Sequence, residues 1–227
     1  MLKKYDCLKE NLKNPETKKY YDIIKKKKIS LFFKRIFDIF CSLVMLIILS
    51  PVILVFSIII KCDSKGPVFF RQIRVKRYGE TFKIFKFRTM IVNAEAVGTQ
   101  VTTDNDPRIT KIGNVIRKFR IDEIPQIINI FLGDMSFVGT RPEVPRYVEK
   151  YTDEMLATLL MPQGLTSLAS IEFKDESTML DNSSNPDETY VNEILPEKMK
   201  YNLQYISKFN FFYDIKLMFK TFFAVLK

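Results

Sequence analysis

One segment near the middle of the chain, residues 117–142, carries the side chains best suited to chemistry. Asp122 and Glu123 form an adjacent carboxylate pair. The same segment contains three arginines: Arg117, Arg120 and Arg141. A carboxylate pair supplies a nucleophile and a metal ligand, and arginine presents a planar, permanently charged fork that suits phosphate oxygens. These residue types therefore indicate a phosphate-handling site and favour phosphoryl transfer.

A structural interpretation of the same residues stays open. Asp122 is placed to cap a helix with Pro125 in its first turn, where proline is tolerated. Such a cap would put a carboxylate and an incoming phosphate at the positive end of the helix dipole. An Asp-Glu pair near arginines is also commonly a helix cap beside a solvated ion-pair surface.

Composition narrows the chemistry further. The chain has 227 residues, enough for one domain with its own core. It contains no histidine, which excludes histidine-based triads, histidine general bases and histidine-ligated metals. Catalysis would therefore use carboxylates. The three cysteines lack CxxC spacing and predict free thiols in a reducing compartment: Cys7, Cys41 and Cys62.

Residues 36–60 form an almost wholly apolar segment, long enough to cross a bilayer core of about 30 Å. Ser50 and Pro51 fall near its middle. Proline removes one backbone hydrogen bond, so we expect the helix to kink or break there. Basic side chains flank the segment on both sides and favour the cytoplasm. A re-entrant hairpin places both basic flanks on the cytoplasmic side, whereas a straight span places one of them on the opposite side of the membrane.

The net charge of +10 is concentrated beside the apolar segment. Residues 1–35 contain 12 basic and 4 acidic side chains, and residues 61–90 contain 9 and 2. Anionic lipid headgroups attract such juxtamembrane lysines by about 1 kcal/mol each, so we expect both clusters to dock on the inner leaflet. Nucleic-acid binding is the competing interpretation, and it is disfavoured because no nucleic-acid motif accompanies the charge.

The chain divides into three predicted parts: a basic N-terminal arm (1–33), a re-entrant membrane helix broken at Ser50-Pro51 (34–62) and a catalytic domain (63–227). The arm is compatible with either an amphipathic helix or a mobile segment on the membrane. Alternating apolar and charged residues in 68–74 and 81–87 predict a short β-hairpin around Tyr78 and Gly79. Near the C-terminus, apolar residues at helical spacing suit an interfacial helix and a core-packing helix equally.

An ordered series of motifs extends over most of the chain. In order, they are Lys34-Arg35 with Asp38, Ser50-Pro51, Gly66-Pro67-Val68-Phe69-Phe70-Arg71-Gln72, Phe85-Lys86-Phe87-Arg88-Thr89-Met90, Asp106-Pro107-Arg108-Ile109-Thr110, Asp122-Glu123-Ile124-Pro125-Gln126, Gly133-Asp134-Met135-Ser136, Val138-Gly139-Thr140-Arg141-Pro142 and Pro162-Gln163-Gly164-Leu165-Thr166. This series resembles the bacterial sugar transferases, the monotopic polyprenyl-phosphate phosphoglycosyl transferases. The resemblance covers residues 34–220 and leaves the N-terminal arm unexplained.

The resemblance implies an α+β fold in which a re-entrant membrane helix-hairpin joins a compact cytosolic catalytic domain, with interfacial amphipathic helices and a small β-hairpin. It places the protein at the bacterial inner membrane, with the catalytic domain on the cytoplasmic face. The implied reaction moves a sugar 1-phosphate from a UDP-sugar to undecaprenyl phosphate and releases UMP. Asp122 would be the nucleophile that forms an aspartyl phosphosugar, and Glu123 would hold Mg²⁺. Six further residues are candidates to bind phosphate or substrate: Arg141, Arg120, Arg88, Arg108, Lys86 and Arg117.

Asp38, beside Arg35 at the mouth of the apolar segment, is expected to form a structural ion pair that orients the hairpin. Two positions depart from the common family pattern. Thr140 stands where a proline precedes Arg-Pro, and Ser167 where a glycine usually follows Thr166. Both departures bear on the choice of sugar rather than on the reaction class.

Two functions follow from these features. The first is an enzyme that makes the initial polyprenyl-linked sugar of a surface glycan or glycoconjugate. The second is a non-catalytic membrane scaffold of the same fold that binds lipid phosphate or recruits glycosyltransferases. The intact Asp122-Glu123 pair favours the enzyme, because a scaffold needs neither carboxylate. Expected partners are the UDP-sugar, undecaprenyl phosphate, anionic lipids of the inner leaflet and downstream glycosyltransferases, with no nucleic acid.

Overall fold

The computed structural model describes residues 2–94, 106–173, 180 and 185–225. Its helices are α1 (Pro15–Lys25), α2 (Lys28–Asp63), α3 (Lys111–Lys118), α4 (Gln126–Leu132), α5 (Pro145–Val148), α6 (Leu168–Glu172), α7 (Pro186–Thr189), α8 (Leu195–Lys208) and α9 (Phe211–Val225). Its strands are β1 (Phe69–Phe70), β2 (Ile73–Val75), β3 (Thr81–Lys83), β4 (Lys86–Phe87), β5 (Met135–Val138) and β6 (Gln163–Thr166). Helices thus combine with small two-stranded sheets, as the α+β class predicts.

The predicted β-hairpin is present and is centred on Tyr78. Strand β1 pairs with β4 and β2 pairs with β3, both antiparallel. The partners are Phe69 with Phe87, Phe70 with Lys86, Ile73 with Lys83, Arg74 with Phe82 and Val75 with Thr81. Every pair is symmetric about Tyr78, so the four strands form one hairpin in a single register. Tyr78 and Gly79 reverse the chain at its tip with φ values of 64° and 69°.

Helix α2 is long and largely uncovered. It has 36 residues, and within the described part of the chain it is the one helix whose length and composition suit a membrane crossing. Only 6% of its most apolar window is buried. Large side chains such as Phe40, Ile47 and Leu54 are more than half exposed. Its apolar surface therefore faces away from the core.

Helix α2 is not broken at Ser50 and Pro51, because it is helical through both residues, and the alternative expectation of a kink at Pro51 stays a prediction. Pro51 has no N–H to give to the carbonyl of Ile47, one turn earlier. The Ser50 hydroxyl donates to that carbonyl at 2.8 Å. The side chain thus satisfies the acceptor that proline leaves open, and the helix continues.

The start of α2 is fixed by its charged residues, but not through the expected Asp38 and Arg35 pair. The Asp38 carboxylate accepts from the Ser136 hydroxyl at 3.0 Å and from the Phe137 N–H at 3.1 Å, both in β5. Arg35 instead donates to two carbonyls at the end of α4, those of Ile130 (2.8 Å) and Phe131 (2.9 Å). Both side chains satisfy backbone groups that lack partners at an element's edge or end.

Lys34 forms a buried ion pair with Asp214 of α9 at 2.6 Å, and both side chains are about 95% buried. Lys34 also donates to the Val138 carbonyl at 2.6 Å. The Tyr205 hydroxyl donates to the other Asp214 oxygen at 2.8 Å. Three chain segments therefore meet at the base of α2.

Arg88 binds the other end of α2. Its guanidinium donates to the carbonyls of Ser64 (2.7 Å) and Lys65 (2.5 Å), just after the helix ends. Gly66 makes this approach feasible, because it has φ of 129° and a Cβ there would lie 2.1 Å from Arg88 Nη1. Both ends of α2 are thus attached to the same body.

The N-terminal arm is folded against the body rather than mobile over its described residues. Two 3₁₀ turns (Tyr5–Cys7 and Glu10–Leu12) precede α1. Lys3 pairs with Glu80 at 2.7 Å near the hairpin tip, and the Tyr20 hydroxyl donates to Glu154 at 2.8 Å. Leu12 is fully buried. Helix α2 already begins at Lys28, before the predicted boundary at residue 34.

Strands β5 and β6 are parallel, with Ser136 opposite Gly164. Their close approach requires glycine, because a Cβ at Gly164 would lie 2.2 Å from the Gly139 nitrogen. The final helix, α9, buries Leu217 and exposes an aromatic surface. Four phenylalanines on it are at least 61% exposed: Phe212, Phe219, Phe222 and Phe223.

Candidate active site

Asp122 and Glu123 lie in a 3₁₀ turn, Ile121–Glu123, between α3 and α4. Arg120 precedes the turn in a left-handed conformation with φ of 52°, which confirms the predicted interruption of the helix. The predicted cap is wrong, since α4 begins after Pro125 and no side chain caps its first turn. The two carboxylates are therefore available for other partners.

Two cations from distant parts of the chain meet this carboxylate pair. Lys86 Nζ of β4 lies 3.2 Å from Glu123 Oε1 and 3.9 Å from Asp122 Oδ2. Arg141, three residues after β5, donates through Nη2 to Glu123 Oε1 at 2.6 Å. Glu123 is thus shared by two cations, and Asp122 makes the longer contact with Lys86.

The surroundings shift the pKa values of the two carboxylates in opposite directions. Burial raises the pKa of Glu123, but Arg141 and Lys86 outweigh it and hold that pKa far below its usual range. Burial raises the pKa of Asp122 above its ordinary value, against the charge of Lys86 and helped by Glu123. Burial likewise lowers the pKa of Lys86 despite both carboxylates. Among the cations, Lys86 lowers the pKa of Asp122 the most, rather than Arg117 or Arg120.

Of the other predicted phosphate ligands, Arg117 and Arg120 act on the carboxylate pair, whereas Arg108 and Arg88 bind elsewhere. Arg117 acts electrostatically on Asp122, and Arg120 on Glu123. Arg108 instead forms an ion pair with Asp106 at 2.5 Å and donates to the Ala94 carbonyl at 2.9 Å. Arg88 binds the end of α2, as described above. Phosphate binding by these arginines stays a prediction.

Arg74 belongs to the same environment, although the sequence reasoning did not select it. Alternation along the hairpin places Arg74, Gln72 and Lys86 on one face. Arg74 acts electrostatically on Lys86, and Glu123 acts electrostatically on Arg74. The same alternation that predicted the hairpin is the signal that identifies Arg74.

The two departures from the family pattern lie just after the ends of β5 and β6. Thr140 is buried, and its hydroxyl donates to the Thr158 carbonyl at 3.3 Å. Ser167 caps α6, because its hydroxyl oxygen accepts from the Ser170 N–H at 2.9 Å. Each polar side chain therefore has a structural partner within the protein.

The carboxylate pair can be tested against the chemistry of Mg²⁺. Among the described residues, no group of three or more histidine, cysteine or acidic side chains could hold a metal ion. Mg²⁺ needs only one or two carboxylates, since it keeps several waters and binds substrate phosphates. Asp122 and Glu123 supply hard oxygen donors, with 14% of each side chain exposed. The residues fit Mg²⁺ shared with a phosphate rather than a site built from protein alone.

The fold and the site define an α+β protein with a long uncovered apolar helix and a carboxylate pair matched by cations of phosphate-binding type. The sequence profile of the bacterial sugar transferase family matches residues 29–227. The chain belongs to that family, and the resemblance read from its motifs is confirmed.

Relatives with named activities share much of this chain. It is 35% identical over 194 residues, 84% of its length, to the UDP-N-acetylgalactosamine-undecaprenyl-phosphate N-acetylgalactosaminephosphotransferase of Aeromonas hydrophila. It is 35% identical over 199 residues, 86% of its length, to the UDP-glucose:undecaprenyl-phosphate glucose-1-phosphate transferase of Klebsiella pneumoniae. It is 33% identical over 216 residues, 88% of its length, to the undecaprenyl-phosphate galactose phosphotransferase of Salmonella typhimurium. The matches cover 43%, 40% and 42% of those proteins, so the chain spans less than half of their length.

Replacement of the partly buried Lys86 and the buried Lys34 by methionine distinguishes a functional ion pair from a structural one. Lys86→Met is expected to change the free energy of unfolding by less than about 1 kcal/mol, because Glu123 keeps Arg141 and Asp122, whose pKa burial already raises, can take up a proton when the lysine charge is lost. Lys34→Met is expected to cost about 3–5 kcal/mol, because it removes the cation from buried Asp214. Denaturant unfolding of the detergent-solubilised variants measures both, and equal losses would make Lys86 a structural residue.

Proposed function

We propose that this chain transfers a sugar 1-phosphate from a UDP-sugar to undecaprenyl phosphate and releases UMP, as the first membrane step of glycan or glycoconjugate assembly. The observation that carries the proposal is the Asp122-Glu123 pair, which shares Lys86 and Arg141 in a largely water-excluded turn. The named activities of the relatives support the reaction class. Because those relatives use three different sugars, the donor sugar is left to experiment.

The reaction proceeds in two phosphoryl transfers. The Asp122 carboxylate attacks the β-phosphorus of the UDP-sugar, and the bond from that phosphorus to the bridging oxygen breaks. UMP leaves with the electron pair, and an aspartyl phosphosugar remains. A phosphate oxygen of undecaprenyl phosphate then attacks the same phosphorus and releases the Asp122 carboxylate. Both steps bring anions together, so they depend on positioning and charge neutralisation.

Each charged residue has a distinct part in this scheme. Lys86 keeps Asp122 ionised and contacts the incoming phosphate. Arg141 exchanges its contact with Glu123 for a phosphate oxygen as substrate binds. Glu123 holds Mg²⁺, which when bound neutralises charge on the diphosphate. A non-catalytic scaffold that binds lipid phosphate would use the cations but would need neither carboxylate.

Helix α2 enters and leaves the membrane on the cytoplasmic face, bent at Pro51. Support comes from its ends, since Lys34 binds Asp214 near the start and Arg88 binds the Ser64 carbonyl after the end. A straight span of a bilayer core of about 30 Å would carry one end away from the body that holds both. The basic flanks favour the same side.

Helix α9 and the basic flanks rest on the inner leaflet. The exposed phenylalanines of α9 suit insertion among lipid headgroups, whereas Asp214 and Leu217 face the body. Anionic lipids would add about 1 kcal/mol for each lysine near the surface. Attachment at the level of the headgroups brings the phosphate end of a polyprenyl lipid to the protein while the lipid stays in the membrane.

UMP release tests the reaction. Detergent-solubilised protein with Mg²⁺, undecaprenyl phosphate and a panel of UDP-sugars is expected to release UMP with at least one sugar. Asp122→Asn is expected to lower that release by about 1,000-fold or more, because the amide cannot act as the nucleophile. Asp134→Asn is the matched control, since Asp134 pairs with Lys76 at 2.7 Å and not with the site cations. Equal release by Asp122→Asn would remove Asp122 as nucleophile, and no release by folded wild type would favour the scaffold.

Cysteine labelling tests the membrane arrangement. Cys7 and Cys62 are both exposed and lie before and within the last turn of α2. In single-cysteine variants, a membrane-impermeant maleimide is expected to label neither residue in intact cells and both after permeabilisation. Labelling of one residue alone in intact cells would establish a straight span.

A further inference from the structure

A second buried charge network surrounds Glu143, two residues after Arg141. Glu143 is 6% exposed, and its Oε1 accepts from the Tyr190 hydroxyl at 2.8 Å. Lys198 is 4% exposed; its Nζ donates to the Tyr190 hydroxyl at 3.0 Å and lies 3.6 Å from Glu143. These three residues come from different parts of the chain, and none of them belongs to the carboxylate pair or to the two cations that contact it. Burial of such charges is costly unless their geometry is needed.

Arg74 connects this network to the loop that carries Arg141. Arg74 Nη1 donates to the Pro142 carbonyl at 3.0 Å and lies 4.0 Å from Glu143 Oε2. Its Nε donates to the Gln72 side chain at 2.9 Å. The backbone is joined at the same place, because the Val75 N–H donates to the Glu143 carbonyl at 2.9 Å. Arg74 thus holds the peptide segment directly after Arg141 against β2.

The segment held by Arg74 directly follows Arg141, so its position affects the candidate active site. Pro142 and Glu143 immediately follow Arg141, whose guanidinium contacts Glu123 at 2.6 Å. A shift of the Pro142 carbonyl would therefore move the backbone of the residue that meets the carboxylate pair. Arginine suits this task better than lysine, because its fixed fork donates in two directions at once, here to Gln72 and Pro142.

We propose that Arg74 is a positioning residue for Arg141, held in turn by Glu143 with Lys198 and Tyr190, so that it acts on phosphoryl transfer through Arg141. The proposal rests on the proposed function, since the effect is read in UMP release. Arg74 itself need not touch the substrate. Its guanidinium is engaged by the loop, and burial lowers its pKa against the attraction of Glu143.

A double-mutant cycle between Arg74→Lys and Arg141→Lys tests this proposal. The measured quantity is kcat/KM for UMP release with the best donor sugar. Arg74→Lys is expected to lower it by about 10–100-fold in the wild-type background. In the Arg141→Lys background the same change is expected to lower it by less than about threefold, because the residue through which Arg74 acts is already lost. Glu143→Gln is expected to behave in the same way and replaces Arg74→Lys if that variant does not fold.

Arg77→Lys is the matched control on the same hairpin. Arg77 donates to the Leu160 carbonyl at 2.8 Å, whereas Arg74 donates to the Pro142 carbonyl. Its replacement is expected to change kcat/KM by the same factor in both backgrounds. If Arg74→Lys also acts by equal factors in both backgrounds, it works independently of Arg141 and the proposal is overturned. If wild-type protein releases no UMP, the proposed function fails, and the proposal with it.

Discussion

Two adjacent carboxylates held largely out of water are the constraint on which the rest of the structure depends. Asp122 and Glu123 each keep only 14% of their side chains exposed, so their ionised forms need cations at close range. Those cations come from far along the chain: Lys86 lies on the hairpin and Arg141 follows β5. The hairpin, β5 and the turn between α3 and α4 must therefore be held in fixed relation.

Helix α2 contacts both cation-bearing segments. Near its start, Asp38 accepts from two groups of β5, the strand that leads to Arg141. After its end, it is held by Arg88, two residues beyond Lys86. One apolar helix thus joins the two sides of the site. Under the proposed membrane arrangement, the helix that fixes the protein to the bilayer also sets the distance between its two principal cations.

The features that depend on short sequence patterns were predictable. Alternation around Tyr78 predicts the hairpin, and helical spacing with a polar interruption predicts the turn at Asp122. Long-range partners were not predictable, because the groups available to a charged side chain are brought near it only when the chain folds. Asp38 binds backbone and hydroxyl donors of β5 instead of Arg35, and Arg108 turns to Asp106. Residue type therefore predicted the candidate site and six candidate cations, while the structure was required to show which of those cations lie beside Asp122 and Glu123.

Covalent capture of the sugar phosphate by Asp122 is tested most directly by the intact mass of the protein. The protein is incubated with Mg²⁺ and the donor UDP-sugar in the absence of undecaprenyl phosphate. A mass increase of one sugar phosphate is expected, located on the peptide that contains Asp122, absent in Asp122→Asn and lost when undecaprenyl phosphate is added. UMP release with no mass increase, or a label on Glu123, would contradict the account.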